Sequence, residues 1–278
     1  MITVIVPCYN VENYIIDCVR SLIKQSIPFD EIILIDDCSQ DKTYDIIKHE
    51  FAFYDNIKIF QNQRNLGLSK TRNIGSLKAK GEYICFVDAD DILSSTYVKT
   101  FNENISIDPQ IDMLCFSIKN FFTTGEENLS GYFYYNTYKN NGKRALIDLI
   151  NTKNFYSCSV GYIFKKNLIN WNIDGFKHII HEDEEFTPRL FLSSNLCLII
   201  SENLYFRRIR PNSITTSKLK LANLKGYFFC FISNLKLLFS SLKSKKLFIC
   251  LLNRQWYFFK LIINRTLVLI RNSVIYNN

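Results

Sequence analysis

Short, unbroken apolar runs alternate along the N-terminal third of the chain with stretches whose apolar side chains recur every three or four positions. "ITVIVPC" (2–8), "EIILID" (31–36), "IKIFQ" (57–61) and "EYICFV" (82–87) are rich in β-branched and aromatic residues and do not alternate apolar with polar, the pattern of strands covered on both faces. Between the first two, Val11, Ile15, Val19, Leu22 and Ile23 recur at helical spacing over 11–25. Residues 41–54 read as a second helix with Ser39 or Asp41 as its cap, and a third begins near Ser69 and stops at Gly81. Four such alternations predict an α/β fold, with a Rossmann-like, mostly parallel sheet flanked by helices. Ligands of such sheets bind beyond the carboxyl ends of the strands. Three of the four strands run out into polar groups, Tyr9-Asn10, Asp36-Asp37 and Asp88-Asp90, which the topology would gather on one rim.

The pattern loosens beyond residue 93. A strand is expected within 108–122, a short helix over 143–151, a strand running into a turn over 159–169, an acid-rich helix start at 181–194 and a final strand or hairpin over 195–210. The stretch "YFYYNTYKNNGK" (132–143) fits no template. From Lys218 to Arg271, Phe, Leu, Ile, Trp and Tyr interleave with Lys and Arg at helical intervals, giving two or three basic amphipathic helices. The expected organisation is a catalytic domain over 1–212, whose nucleotide-binding part is 1–92 and acceptor-side part 93–212, followed by a helical tail over 213–278.

Charge sharpens that division. Residues 1–202 hold 20 of the 34 Lys and Arg and all 26 acids, whereas 203–278 hold 14 Lys and Arg and no acid. A tail of this kind either lies on an anionic membrane surface or packs on the body or a second copy with its lysines solvated. No nucleic-acid recognition module accompanies the charge. The chain is 47% apolar, enough for a sizeable core. Its nine cysteines show no CxxC pair and mostly lie in apolar runs, so they read as small buried hydrophobes of a reducing compartment. With three histidines and no HExxH or Cys/His cluster, a zinc site is not expected. The N-terminal decapeptide lacks a basic leader and reads as a first strand, and no run reaches the roughly 18 apolar residues of a membrane span.

Asp88 and Asp90, one residue apart at a strand end, repel each other unless a counter-charge arrives. A hard divalent cation such as Mg²⁺ or Mn²⁺, sharing the carboxylates with phosphate oxygens, would supply it, as would simple solvation of an acidic turn. "HEDEEF" (181–186) likewise reads either as a carboxylate placed for proton transfer or as acids favoured by a helix N-terminus.

The segments "VIVPCYNVENYIIDCVRSLIKQSI", "EIILIDDCSQDKT", "NLGLSKTRNIGSLKAKGEYICFVDADD" and "HEDEEF" together resemble, in order and spacing, the family 2 glycosyltransferases of the GT-A fold. "YFRRIRPNSIT" (205–215) is similar to a closing motif of members that build bacterial capsule and lipopolysaccharide. The resemblance implies an inverting transfer from a nucleotide-diphosphate sugar, a UDP-hexose or UDP-N-acetylhexosamine, to a glycan or lipid-linked saccharide. Carried onto this chain, it implies Pro7, Tyr9 and Asn10 around the base, Asp36 and Asp37 reading it, and Arg72 near the diphosphate or supporting Asp88. Asp88, Ala89 and Asp90 would meet the donor, with Asp90 and Asp88 holding Mn²⁺ or Mg²⁺ and Asp91 supporting them or touching the sugar. Asp183 would be the general base, with Glu182 and His181 on the acceptor or sugar. Arg207, Arg208 and Arg210 would close over the diphosphate or face an anionic surface. It further implies a cytoplasmic enzyme on the inner face of a bacterial cell membrane, with a homodimer open.

Competing classes lack their signatures. A sugar-1-phosphate nucleotidyltransferase needs a glycine-rich phosphate loop after the first strand, and "PCYNVEN" has no glycine. G-x-G-x-x-G is absent, which argues against a dinucleotide oxidoreductase. A processive synthase lacks Q-x-x-R-W, the nearest string being "NRQW" (253–256). A non-catalytic glycan- or nucleotide-binding relic is opposed by the intact acids.

Overall fold

The computed structural model describes residues 1–122, 127–210 and 221–276. The expected domain boundary at 212/213 and residues 211–215 of the closing motif lie outside the described residues.

Within them one mixed sheet forms the centre. Its N-terminal half is β3 (Ile57–Gln61), β2 (Glu31–Asp36), β1 (Ile2–Cys8) and β4 (Tyr83–Phe86), in that spatial order and all parallel. Helices α1 (Ile15–Ile23), α2 (Thr43–Phe51) and α3 (Leu68–Lys78) connect them. Every residue of β1, β2 and β4 is buried, as their uninterrupted apolar runs require. The order reverses between β1 and β4, so their carboxyl ends splay and leave a crevice. Pro7 lies past the last β1–β4 pair, Ile5 with Phe86, where its missing N–H costs no ladder bond on that side. The expected first helix begins at Ile15 rather than Val11. The backbone N–H groups of Val11 and Glu12 instead donate to Thr43 Oγ1 and Asp41 Oδ2, which ties this loop to the start of α2.

The second half extends the sheet with antiparallel joints. β9 (Tyr162–Lys165) pairs antiparallel with β4 and with β6 (Met113–Phe122), and β10 (Cys197–Ile209) runs parallel to β6. β7 (Glu127–Tyr132) shares one edge of β6 with β9; β8 (Tyr138–Asn140) and β5 (Ile92–Leu93) share the far edge of β10. Thus 195–210 forms one long strand and no hairpin, and the unplaced 132–143 stretch supplies β8. A further helix, α4 (Tyr97–Ile107), had no counterpart in the sequence reading. It buries only Tyr97, Val98 and Phe101 and carries Thr, Asn and Ile where strong helix formers would announce it. α5 (Gly142–Asn151) and α6 (Glu182–Ser193) complete the body.

The tail is two helices, α7 (Leu221–Ser240) and α8 (Lys245–Tyr276), packed on each other and against α5 and α6. Gly226 permits the approach, because a Cβ there would fall 2.1 Å from the Ile180 carbonyl oxygen. Buried Asn234 locks the pair by donating to the Leu251 carbonyl and Gln255 Oε1. Packing on the body is therefore one use of the tail. Among the described residues, no helix is long and apolar enough to cross a membrane. All nine cysteines are free, seven of them buried.

Candidate active site

The two acids ending β2 have different tasks, because successive strand residues point to opposite sides. Asp37 Oδ1 accepts from Asn62 Nδ2 (2.7 Å) and the Leu66 N–H (2.8 Å), and Oδ2 accepts from the Gly67 N–H (2.8 Å). It thereby shapes the 62–67 loop, where Gly67 takes φ 85°, a conformation glycine adopts freely. An open pocket of about 550 Å³ lined by Gln61, Asn62, Gln63, Arg64 and Leu66 lies on this loop. Asp36 is fully buried; its Oδ2 accepts from the Ser39 N–H and Gln61 Nε2, so it braces the turn below the rim. The other oxygen of Asp36, Oδ1, is buried without a hydrogen-bond partner among the described residues. Pro7 is buried within β1, and Asn10 accepts from the Gln40 N–H while its own N–H donates to Ser39 Oγ. Of this group Tyr9, 45% exposed, alone offers an open ring.

The 88–91 turn separates its three acids just as sharply. Asp88 keeps a partly exposed carboxylate, and Asp90 is paired with the Arg210 Nε. Ala89 is buried between them. Asp91 is 2% exposed and accepts from the Tyr205 hydroxyl (2.6 Å) and the Arg208 N–H (2.7 Å); burial, then the neighbouring Asp90 and Asp88, push its carboxyl well above the usual range. Tyr205 also accepts the Asp88 N–H at 3.1 Å. Asp91 therefore fastens the turn to β10.

Arg72, from the "KTRN" stretch of α3, joins this turn to α6. Its Nη2 donates to Asp88 Oδ1 (2.9 Å), and its Nη1 to Glu182 Oε1 (2.9 Å) and Asp183 Oδ1 (3.3 Å). The guanidinium is 2% exposed and lies over the rings of Phe176 (5.3 Å) and Phe86 (5.9 Å). Asn73 exchanges two hydrogen bonds with the Phe176 backbone, which holds the segment leading into α6. Burial drives the Asp183 carboxyl up, opposed by Arg72 and reinforced by Asp88. Glu182 is raised to about 7 by burial and by Asp183, against Arg72. The Glu182 shift puts one carboxylate of the pair in the range of proton transfer near neutrality.

His181 precedes α6 in the left-handed region (φ 70°). The resemblance implies His181 as an acceptor or sugar contact; in the structure it is half-buried against the tail. Its ring stacks on Tyr227 of α7 (3.9 Å, 11°), Nε2 is buried without a partner among the described residues, and burial pushes its pKa down. The tail continues along the same turn: Arg254 Nη2 donates to Glu184 Oε2 (2.5 Å) and its carbonyl (2.8 Å), and Ser233 Oγ to Glu185 Oε1 (2.9 Å). The four acids opening α6 are thus divided between body and tail. Tyr205, Tyr227 and Arg254 were absent from the sequence-level site; a buried Tyr at the end of a strand and an Arg within an apolar helix were their only local signals.

The β10 arginines are split by the pleat. Arg208 donates from Nε to the Asp90 carbonyl, Arg210 pairs with Asp90, and both cover the Tyr14 ring. Arg207 faces the other way, donating to Asn120 Oδ1 (2.9 Å) and the Tyr132 hydroxyl (3.0 Å). The three do not close together over one group. Among the described residues no three His, Cys, Asp or Glu side chains gather as a metal cage. Asp88 and Asp90, both hard oxygen donors at the rim, fit a divalent cation that takes its remaining ligands from phosphate and water.

Residues 3–169 match the family model described as glycosyl transferase family 2. Glycosyltransferase GlyA of Streptococcus pneumoniae serotype 4 is 33% identical over 224 residues, covering 77% of this chain and 31% of GlyA. Poly(ribitol-phosphate) beta-N-acetylglucosaminyltransferase TarS of Staphylococcus aureus is 29% identical over 209 residues, 73% of this chain and 35% of TarS. The chain thus spans about a third of the length of these two relatives. The crystal structure of TarS residues 1–349 in complex with UDP-GlcNAc superimposes with a TM-score of 0.68 at 26% identity, covering 84% of this chain and 66% of that one. The central sheet with flanking helices matches the GT-A fold of that structure. This chain belongs to glycosyl transferase family 2.

Proposed function

We propose that the protein transfers a sugar from a UDP-hexose or UDP-N-acetylhexosamine to a hydroxyl of a bacterial surface glycan or its lipid-linked precursor, with inversion at the anomeric carbon. One observation carries the reading: a single buried guanidinium, Arg72, gathers Asp88 of the β4 turn with Glu182 and Asp183 of α6. Donor and acceptor chemistry then meet across one charge. Tyr9 stacks on the base above the pocket that Asp37 shapes. Asp183 takes the acceptor hydroxyl proton, which its raised affinity for protons favours. Arg72 keeps that carboxylate ionised until the acceptor arrives and turns it towards the crevice. Asp90 and Asp88 would hold Mg²⁺ or Mn²⁺, which supplies positive charge to the departing diphosphate. The apolar, basic outer face of α7 and α8 would rest on the anionic inner surface of the membrane, where a lipid-linked acceptor lies. UDP-GlcNAc, the sugar nucleotide in the TarS complex, is the first substrate to try. The test is release of UDP from a panel of UDP- and GDP-sugars, with metal added or chelated. Release from a UDP-sugar is expected; turnover of none, alongside tight nucleotide binding, would favour a binding relic.

A further inference from the structure

Six arginines among the described residues are not exposed, and five meet a carboxylate. Arg72 meets Asp88, Glu182 and Asp183; Arg189 meets Glu185; Arg208 meets Asp17; Arg210 meets Asp90; and Arg254 meets Glu184. Arg207 meets none among the described residues. Its two hydrogen bonds go to neutral oxygens, Asn120 Oδ1 and the Tyr132 hydroxyl, and its guanidinium lies 5.0 Å over the Tyr132 ring. Neutral acceptors orient the planar fork without cancelling its charge, leaving a fixed cation suited to an oxyanion.

The place of this cation follows from a short chain of contacts. The Tyr132 ring lies 4.6 Å from that of Tyr156. Ser157, the next residue, donates to Glu184 Oε2 at 2.8 Å, and Glu184 adjoins Asp183. The thiol of Cys158, one residue further, is pushed up by burial and then by Asp183, with Arg207 opposing, so both charges act on one sulfur. Arg207 therefore stands towards Asp183, on the face of β10 opposite to that of Arg208. An acceptor approaching here meets Glu182, Asp183 and Asp88, and a donor diphosphate beyond them. A neutral glycan needs no local cation, whereas an anionic one is repelled unless a cation offsets those charges.

We propose that Arg207, with the rings of Tyr132 and Tyr156, forms an acceptor subsite for a saccharide or polyol bearing an oxyanion, phosphate or carboxylate, close to the hydroxyl that is glycosylated. This rests on Asp183 as the base. It reassigns Arg207 from the diphosphate to the acceptor.

Calorimetric titration of the full chain, saturated with UDP, tests it with three small probes: sn-glycerol 3-phosphate, glucuronate and neutral glycerol. At least one anionic probe should bind more tightly than glycerol, the phosphate and carboxylate arms distinguishing the source of the charge. R207Q should weaken that binding about tenfold or more, R207K should restore part of it, and the UDP affinity of both should stay that of the unaltered chain. Equal binding of anionic and neutral probes overturns the proposal, as does an R207Q chain that binds the anion unchanged. Weakened UDP binding with intact probe binding returns Arg207 to the donor side and also overturns it. The transferase reading is judged separately, by UDP-sugar turnover of the unaltered chain, which these titrations do not require.

Discussion

Asp88 and Asp183, 95 positions apart in the chain, are held by opposite arms of one guanidinium, Arg72 Nη2 at 2.9 Å from the first and Nη1 at 3.3 Å from the second. The 88–91 turn and the first turn of α6 are registered by this contact and by the Asn73 bonds beside it. R72Q leaves Asp88, Glu182 and Asp183 facing one another without a cation. Removing one partner of a buried ion pair costs about 3–5 kcal/mol, so the melting temperature should fall by several degrees. Transfer should fall more than UDP affinity, and R72K should recover part of the stability but less of the rate, because an ammonium cannot span two carboxylate groups with a planar fork. Thermal denaturation and the separate measurement of kcat and UDP Kd check both statements.

The acid limb of the pH–rate profile reports the Glu182–Asp183 pair. Both carboxyls are raised, first by burial, with Glu182 at about 7. A raised base is protonated at pH values where an ordinary aspartate is ionised, so activity should fall as pH drops through a value above that of an ordinary aspartate. Removing the Arg72 charge moves that limb higher still. D183N should abolish transfer with UDP binding kept. Although Glu182 is paired with Arg72, its stability consequence has the opposite sense to that of an acid whose pKa is lowered on folding. A raised folded-state pKa means the fold binds the proton more tightly than the unfolded chain, so ionised Glu182 destabilises above about 7 and the cost vanishes as pH falls below its unfolded value. E182Q should therefore be more favourable to stability, relative to the unaltered chain, at pH 8 than at pH 5, as denaturant titrations at the two pH values would reveal.

Much of this site is legible in the sequence because it depends on local pattern. Apolar strands that end in acids put Asp37, Asp88 and Asp90 near one rim, and the acid-rich start of α6 marks Asp183. What the sequence hides is phase and distance. Whether Asp36 or Asp37 faces the rim depends on the twist with which β2 ends, and both read alike. Asp91 looks like a third member of the acidic turn, yet its partner Tyr205 is 114 residues away. Arg207 and Arg208 are adjacent letters on opposite faces of β10. The tail is ambiguous for another reason: an apolar stripe on a helix is the same signal whether α6 or a lipid covers it.

Asp90 enters any metal site already paired with Arg210, and Asp88 with Arg72. A free divalent cation must compete with two guanidinium groups, while a cation arriving with a diphosphate offers those groups phosphate oxygens instead. Mn²⁺ alone should therefore bind weakly, and UDP should strengthen its binding. R210Q should raise the affinity for Mn²⁺ in the absence of nucleotide and lower it for the UDP complex. D90A should remove the metal dependence of UDP binding. Calorimetry with Mn²⁺, with and without UDP, separates these outcomes, and equal Mn²⁺ affinity for the unaltered and R210Q chains would contradict the competition.

The outward face of the tail can be separated from its inward one. Inward, Gly226, Tyr227, Ser233 and Arg254 grip the first turn of α6, so truncation near residue 216 would remove a support of Asp183 together with any membrane contact. Outward, Phe228 (56% exposed), Phe239 (67%), Trp256 (57%) and Leu267 (60%), with Leu242 (65%) in the turn between the helices, present apolar surface on a tail that carries lysines and no acid. Each outward aromatic side chain that enters a bilayer interface contributes through its buried area, and each nearby lysine adds about 1 kcal/mol on an anionic surface. A W256S/F239S double variant should leave the melting temperature within a degree or two, since neither ring is buried, yet release the protein from vesicles of anionic phospholipid in co-sedimentation. R254Q should do the reverse, lowering stability and transfer while vesicle binding persists, and its effect should not add to that of E184Q, because each removes the same contact. If the double variant stays vesicle-bound but loses a dimer seen by sedimentation, the outward face belongs to a second copy of the chain.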